Sequence, residues 1–174
     1  MKFFLQLLSF GLLATSVSAV PTVEERQSTR YSLTVSTKGN AVLNGQTLEV
    51  VNSVLGVYPG KQTAAQVYPV ANPTKPGLFS LHTLPIGIVD HVLALQGSNG
   101  FFTLVDTVNP AGNTAVSNID TFILKNGKVT QNIPGGWFAF PSSTGWSVNY
   151  YDGTSIVTQD YVAVDILYKK LSTY

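Results

Sequence analysis

Beyond residue 30 the chain alternates apolar and polar positions almost one for one. Tyr31, Leu33 and Val35 are separated by Ser32, Thr34 and Ser36, and similar stretches recur at 46–51, 54–58, 66–69, 78–83, 91–95, 101–108, 119–124, 136–140, 145–151 and 161–168. A period of two is the signature of a strand with one wet and one buried face. The short run 41–43 reads as a further strand. In the last segment Val162, Val164, Ile166 and Tyr168 point one way, and Tyr161, Ala163, Asp165 and Leu167 the other. Both sets are largely apolar, which predicts burial on both faces except around Asp165. No stretch carries a sustained helical stripe, and Pro or Gly interrupts the places where one could begin.

Turn chemistry links these strands into hairpins. Asn44-Gly45 and Asn126-Gly127 are dipeptides that take the positive φ angles of a tight two-residue turn. Gly97-Ser98-Asn99-Gly100 and Asp152-Gly153 give the same signal, the latter joining Tyr150-Tyr151 to a predicted strand at Ile156-Val157. A helix-free, hairpin-rich pattern predicts an all-β fold, either an antiparallel two-sheet sandwich or a β-trefoil-like barrel. Glycine-containing turns recur as in a trefoil, but no clean internal repeat emerges, so the sandwich is preferred.

The N-terminus follows a different logic. Met1-Lys2 precedes an apolar run from Phe3 to Ala14, and Val17 and Ala19 supply the small residues of a cleavage site. A cationic head, an apolar stretch and a small-residue site make residues 1–19 a signal peptide. The run is shorter than a membrane span requires. Residues 20–30, with Pro21, Glu24, Glu25, Arg26 and Arg30, lack periodicity and read as a disordered leader or short propeptide. Residues 31–174 form a single all-β domain, exported and extracellular, with no transmembrane segment.

Charge and cysteine content narrow the partners. Of nine acids Glu24 and Glu25 precede Tyr31, leaving seven; of ten bases Lys2, Arg26 and Arg30 precede it, leaving seven, all Lys. The domain is thus near neutral and carries no basic footprint for nucleic acid. The absence of Cys excludes thiolate metal sites, cysteine nucleophiles and disulfides, so the core alone must hold an exported domain.

Catalytic signals are sparse. His82 and His91 lie on neighbouring predicted strands, where with Asp90 they could meet at a metal, or each could sit singly with its ring nitrogens satisfied. Asp106-Thr107 and Asp120-Thr121 lack the glycine of an aspartic dyad and read as solvent-facing strand residues. No Gly-x-Ser-x-Gly elbow or phosphate-cradling loop is present. No catalytic residue, metal site or cofactor is assigned. The richest constellation is Gly135-Gly136-Trp137-Phe138-Ala139-Phe140-Pro141 with Gly145-Trp146-Ser147-Val148-Asn149-Tyr150-Tyr151. If Trp137, Trp146, Tyr150 and Tyr151 are exposed they make a platform for stacking on sugar faces; the area an aromatic ring contributes to a core favours burial.

This half of the chain, a strand, an Asn-Gly hairpin, Gly-Trp-Phe-Ala-Phe-Pro, Trp-Ser-Val and the closing Asp160-Tyr161-Val162-Ala163-Val164-Asp165-Ile166, resembles the secreted fungal cell-wall proteins of the PhiA type over roughly residues 100–168. Those proteins commonly carry cysteine before the proline, where this chain has Phe140. The resemblance implies a non-enzymatic structural or surface-associated protein of the fungal cell wall, with wall polysaccharide or wall proteins as partners. A carbohydrate-binding, lectin-like module and a secreted effector or defence protein acting on another organism are the alternatives.

Overall fold

The computed structural model of the chain describes residues 29–60, 63–86, 89–109 and 116–172. Residues 1–19, expected to be a signal peptide, and all but the end of 20–30, expected to be a leader, lie outside the described residues. Those described contain no helix and thirteen strands: β1 (Tyr31–Ser36), β2 (Glu49–Val51), β3 (Val54–Val57), β4 (Gln66–Ala71), β5 (Phe79–Ile86), β6 (Val89–Ser98), β7 (Phe101–Val108), β8 (Val116–Ser117), β9 (Phe122–Lys125), β10 (Lys128–Gln131), β11 (Gly136–Ser142), β12 (Gly145–Tyr151) and β13 (Val162–Lys170). Every pairing among them is antiparallel. The all-β, antiparallel expectation is met.

The pairings form a ring. β1 pairs with β4, β4 with β5, β5 with β9, β9 with β10, β10 with β13, and β13 returns to β1. Three hairpins, β2–β3, β6–β7 and β11–β12, lie off this ring. Their strands pair with one another, β3 with β7, β7 with β12 and β12 with β3. Six ring strands and three mutually paired hairpins, with each hairpin between two ring strands in sequence, give the connection order of a β-trefoil. All thirteen strands belong to one hydrogen-bonded network rather than the two separate sheets of a sandwich.

Alternation explains which face each strand buries. Leu33 and Val35 of β1, Val67 of β4, Leu81 of β5, Phe122 of β9, Val129 of β10 and Val164 and Ile166 of β13 all join one core cluster, together with Leu55, Leu93, Leu95, Leu104, Ala139 and Val148 from the hairpins. Two of the expected two-residue turns form as their sequences require, Asn99-Gly100 and Asn126-Gly127 having positive φ at both positions, whereas at Asn44-Gly45 only Gly45 does and the dipeptide ends the turn over 41–45 without joining two strands. A third turn of this kind, Asn52-Ser53 between β2 and β3, has a Ser where Gly is usual and gave no sequence signal.

Three expectations are corrected. Residues 41–43 form a turn, because the Asn40 side-chain oxygen accepts hydrogen bonds from the Val42 and Leu43 N–H groups, at 2.9 and 3.3 Å, and drives Leu43 into the core. No strand forms at 156–157: Asp152 Oδ1 accepts from the Thr154 N–H at 2.8 Å and its hydroxyl at 2.7 Å, which starts a loop instead of a hairpin, and Ile156 is 94% exposed. Strand β13 is buried on one face only. Val164 and Ile166 are in the core, whereas Ala163 is exposed and Asp165 pairs with Lys128 at 2.8 Å on the surface.

Where the hairpins meet, backbones pass closely. A Cβ at Gly56 would lie 2.1 Å from the Trp146 carbonyl oxygen and 2.9 Å from the Tyr58 ring. Gly56→Ala is therefore expected to force β3 off β12 and lower stability by about 1–3 kcal/mol. A urea midpoint unchanged from the parent protein would refute that close approach.

Candidate functional site

The β11–β12 hairpin is a two-faced ribbon, and its faces divide the aromatic residues of the sequence constellation. Trp137 pairs across the ribbon with Tyr150. Both point inward, 4% and 2% exposed, with ring centroids 5.0 Å apart in an edge-to-face arrangement. Their polar tips are satisfied inside: Trp137 Nε1–H donates to the Val129 carbonyl and the Tyr150 hydroxyl to the Ile133 carbonyl, each at 2.7 Å. Trp137 and Tyr150 are thus core residues and cannot belong to a sugar platform. Trp146 is half-buried and packs against the same core. Of the four expected platform residues only Tyr151 points to the other side.

On that other side the structure assembles rings that the sequence did not connect. Phe138 contacts Tyr151 and Tyr161 edge-on, with centroids 5.8 and 5.2 Å apart. Phe140 contacts Phe101 and Tyr161 at 5.1 and 5.3 Å. Tyr151 in turn meets Phe101 and Tyr161, both at 6.3 Å. Phe101 arrives from β7, which is registered directly opposite Tyr151, and Tyr161 from the segment just before β13. Phe140 is buried, Phe101, Phe138 and Tyr151 are half-buried, and Tyr161 is 45% exposed. The loop from Asp152 to Tyr161 borders these rings. Tyr151 donates its hydroxyl to the Ser155 carbonyl, Ser155 donates to the Asn99 carbonyl, and Gln159 Nε2 donates to the Pro141 carbonyl. A half-exposed aromatic surface with a polar rim can stack on an apolar ring face while hydroxyl and amide groups bond at its edge.

A second arrangement lies on β5 and β6. Ser80 and His82 sit two apart on β5 and share a face, and Asp90 is the second residue of β6. His82 Nδ1 is 3.0 Å from both carboxylate oxygens of Asp90, and His82 Nε2 is 2.9 Å from Ser80 Oγ. Asn109 Nδ2 donates to Asp90 at 2.7 Å, and the Tyr68 ring stacks on the imidazole with centroids 5.2 Å apart. Partial burial pushes the Asp90 carboxyl up, but hydrogen bonds from His82 and Asn109, the nearby imidazole and the His91 N–H together outweigh it and hold Asp90 below the ordinary value of 3.8. Burial first, and the Asp90 carboxylate second, push the Tyr68 phenol above its ordinary value.

The neighbouring histidine has its own partner. His91 Nδ1 lies 3.1 Å from Asp106, whose other oxygen accepts from the Thr83 hydroxyl at 2.8 Å. Asp106 is nearly buried, which corrects its reading as a solvent-facing residue, and Asp120 lies in a bend where it accepts from Asn72 Nδ2 at 2.6 Å. This second pair borders a hollow of 260 Å³ between Ser53, Gln96 and Val108. The two imidazoles do not converge: each turns Nδ1 to a different carboxylate, and among the described residues no group of three metal-binding side chains occurs.

Ser80 and Asn109 were missed by the sequence. Strand alternation places Ser80 beside His82, but only the β5–β6 register brings Asp90 back onto that pair. Phe101 and Tyr161 were missed because they are distant in sequence from the hairpin they cover.

Comparison of the chain with protein-family models, with curated proteins and with solved structures finds no match. Among the described residues no helix is long and apolar enough to cross a membrane.

Asp90 gives a pH prediction with a definite sign. Because its folded pKa is depressed, its contribution to stability is fully present above the unfolded value and is lost as pH falls through the folded one. Stability should therefore decline with acid below about pH 4, and Asp90→Asn should flatten that part of the curve. Urea titrations between pH 2 and 6 check it; parallel curves for the two proteins would contradict it.

Proposed function

We propose that the chain is an exported, surface-associated protein of the fungal cell wall that holds neutral wall polysaccharide on the aromatic surface formed by Phe101, Phe138, Tyr151 and Tyr161. The observation that carries this reading is Tyr161, 45% exposed and backed by Phe138, Phe140 and Tyr151. A ring held from behind and open in front presents its face at little conformational cost. The surroundings favour a neutral, hydroxyl-rich ligand. Ser155 and Gln159 bond beside the rings, and the domain has equal numbers of acids and bases. An anionic polymer would instead call for clustered Lys or Arg.

The wall assignment rests on the export signal, the near-neutral composition and the resemblance of residues 100–168 to the PhiA type. The binding surface refines it, because association with a wall needs a face for the polymer.

The test is a pull-down of the purified mature protein with insoluble β-glucan, chitin and whole fungal walls. Binding should occur, and Tyr161→Ala should weaken it about tenfold, in line with about 1 kcal/mol or more for one aromatic contact. The same variant should keep the parent melting temperature, since the ring is half outside. Trp137→Phe should retain binding. A folded parent protein that leaves all three materials bare would sink the proposal, as would Tyr161→Ala binding unchanged.

A further inference from the structure

We infer that Ser80, His82 and Asp90 form a nucleophilic relay in which Ser80 accepts acyl groups from carboxylic esters. This inference is independent of the aromatic surface and departs from the non-enzymatic expectation drawn from the sequence.

In the neutral imidazole the hydrogen-bond pattern sets the tautomer of the relay. An ionised carboxylate only accepts, so Asp90, with both oxygens 3.0 Å from His82 Nδ1, requires the proton on that nitrogen. The lone pair of Nε2 then faces Ser80 Oγ at 2.9 Å. Ser80 has a second acceptor in the Val70 carbonyl, but at 3.4 Å it is the weaker of the two. The serine proton therefore points to the imidazole. Nucleophile, base and orienting carboxylate stand in the order that activates a serine.

The surroundings fix that order. Tyr68 stacks on His82 with planes 25° apart, and Asn109 holds the Asp90 oxygen at 2.7 Å. His82 is 9% exposed, whereas Ser80 is half-exposed, so an electrophile reaches the hydroxyl while the base stays shielded. Ser80 and His82 lie on a ring strand hydrogen-bonded to β4 and β6, a support stiffer than a loop. A purely structural clip between β5 and β6 needs only His82 and Asp90; it does not need Ser80 directed at Nε2.

The step is acyl transfer. Ser80 Oγ bonds to the ester carbonyl carbon as its proton passes to His82 Nε2; the carbon–oxygen bond to the alcohol breaks, and the departing alkoxide takes that proton. Water then attacks the acyl-serine, giving its proton to His82, which returns it to Ser80 as the carboxylic acid leaves. Since the described residues contain no helix, no helix N-terminus among them stabilises the oxyanion. Turnover should be slow, and covalent capture is the sharper readout.

The purified mature protein is incubated with a fluorophosphonate probe, which bonds to an activated serine with loss of fluoride, and the adduct is mapped by peptide mass spectrometry. One phosphonyl group on Ser80 is expected, and none in Ser80→Ala. Asp90→Asn and His82→Gln should slow labelling about a hundredfold while melting temperature and near-UV circular dichroism show them folded. If His82→Gln does not fold, Asp90→Asn and the wild-type site occupancy decide. No adduct on the folded wild type, an adduct spread equally over exposed serines such as Ser142, or equal labelling of Asp90→Asn would overturn the inference.

Discussion

The pairing of the first strand with the last is the constraint on which this fold depends. β1 meets β13 over six registered positions, from Tyr31 opposite Lys170 to Ser36 opposite Asp165. Without it the ring opens into a sheet with two long edges, each a row of unpaired N–H and C=O groups. With it, every ring strand has two neighbours, and the chain holds itself closed without a disulfide. Closure joins residues far apart in sequence, so its entropic cost is met by what it buries: Val35 stands opposite Ile166, Leu33 and Val164 join the same core, and the Tyr31 and Tyr168 rings meet edge to face near the end of the seam. The surface pair of Lys128 and Asp165 adds little by comparison.

Closure also explains why the threefold organisation, three units of ring strand, hairpin and ring strand (β1 to β4, β5 to β9 and β10 to β13), is plain in the structure and hidden in the sequence. The ring strands place Leu33, Leu81 and Val129 at comparable inward positions, and the hairpins contribute Leu55, Leu104 and Val148. The units agree in where an apolar side chain is needed but not in which one, since a core asks for total volume and pattern. The third unit departs furthest, filling its share with Trp137 and Tyr150. Most strand positions and the turns at Asn99-Gly100 and Asn126-Gly127 were legible because each is settled within a few residues. The turn at Asn40, the loop after Asp152 and the second face of β13 were not, because side-chain bonds or distant neighbours decide them. The alternation of β12 puts Tyr150 and Tyr151 on opposite faces, but nothing local says which face is inside.

The aromatic surface follows from that same division. A ribbon with bulky rings on both faces must bury one set and find partners for the other. Trp137 and Tyr150 settle inside because the Val129 and Ile133 carbonyls accept their N–H and O–H groups. Phe138, Phe140 and Tyr151 are left outward, where Phe101 and Tyr161 cover part of them. Tyr161 is the most exposed of these rings, at 45%.

The two candidate sites therefore draw on different physics. The aromatic surface is built on the third unit, with Phe101 from the hairpin of the second, and its strength lies in ring area. The relay is built on β5 and β6, with Tyr68 from β4 and Asn109 at the end of β7, and its strength lies in direction: His82 turns one ring nitrogen to Asp90 and the other to Ser80. An outward serine and histidine two apart on a strand are ordinary when water satisfies them. Here the imidazole is 9% exposed, held on one nitrogen by a carboxylate that is itself held by Asn109, so the remaining nitrogen has the serine as its partner. Burial of the imidazole thus leaves Ser80, two residues away on the same strand face, as the hydrogen-bond partner of Nε2.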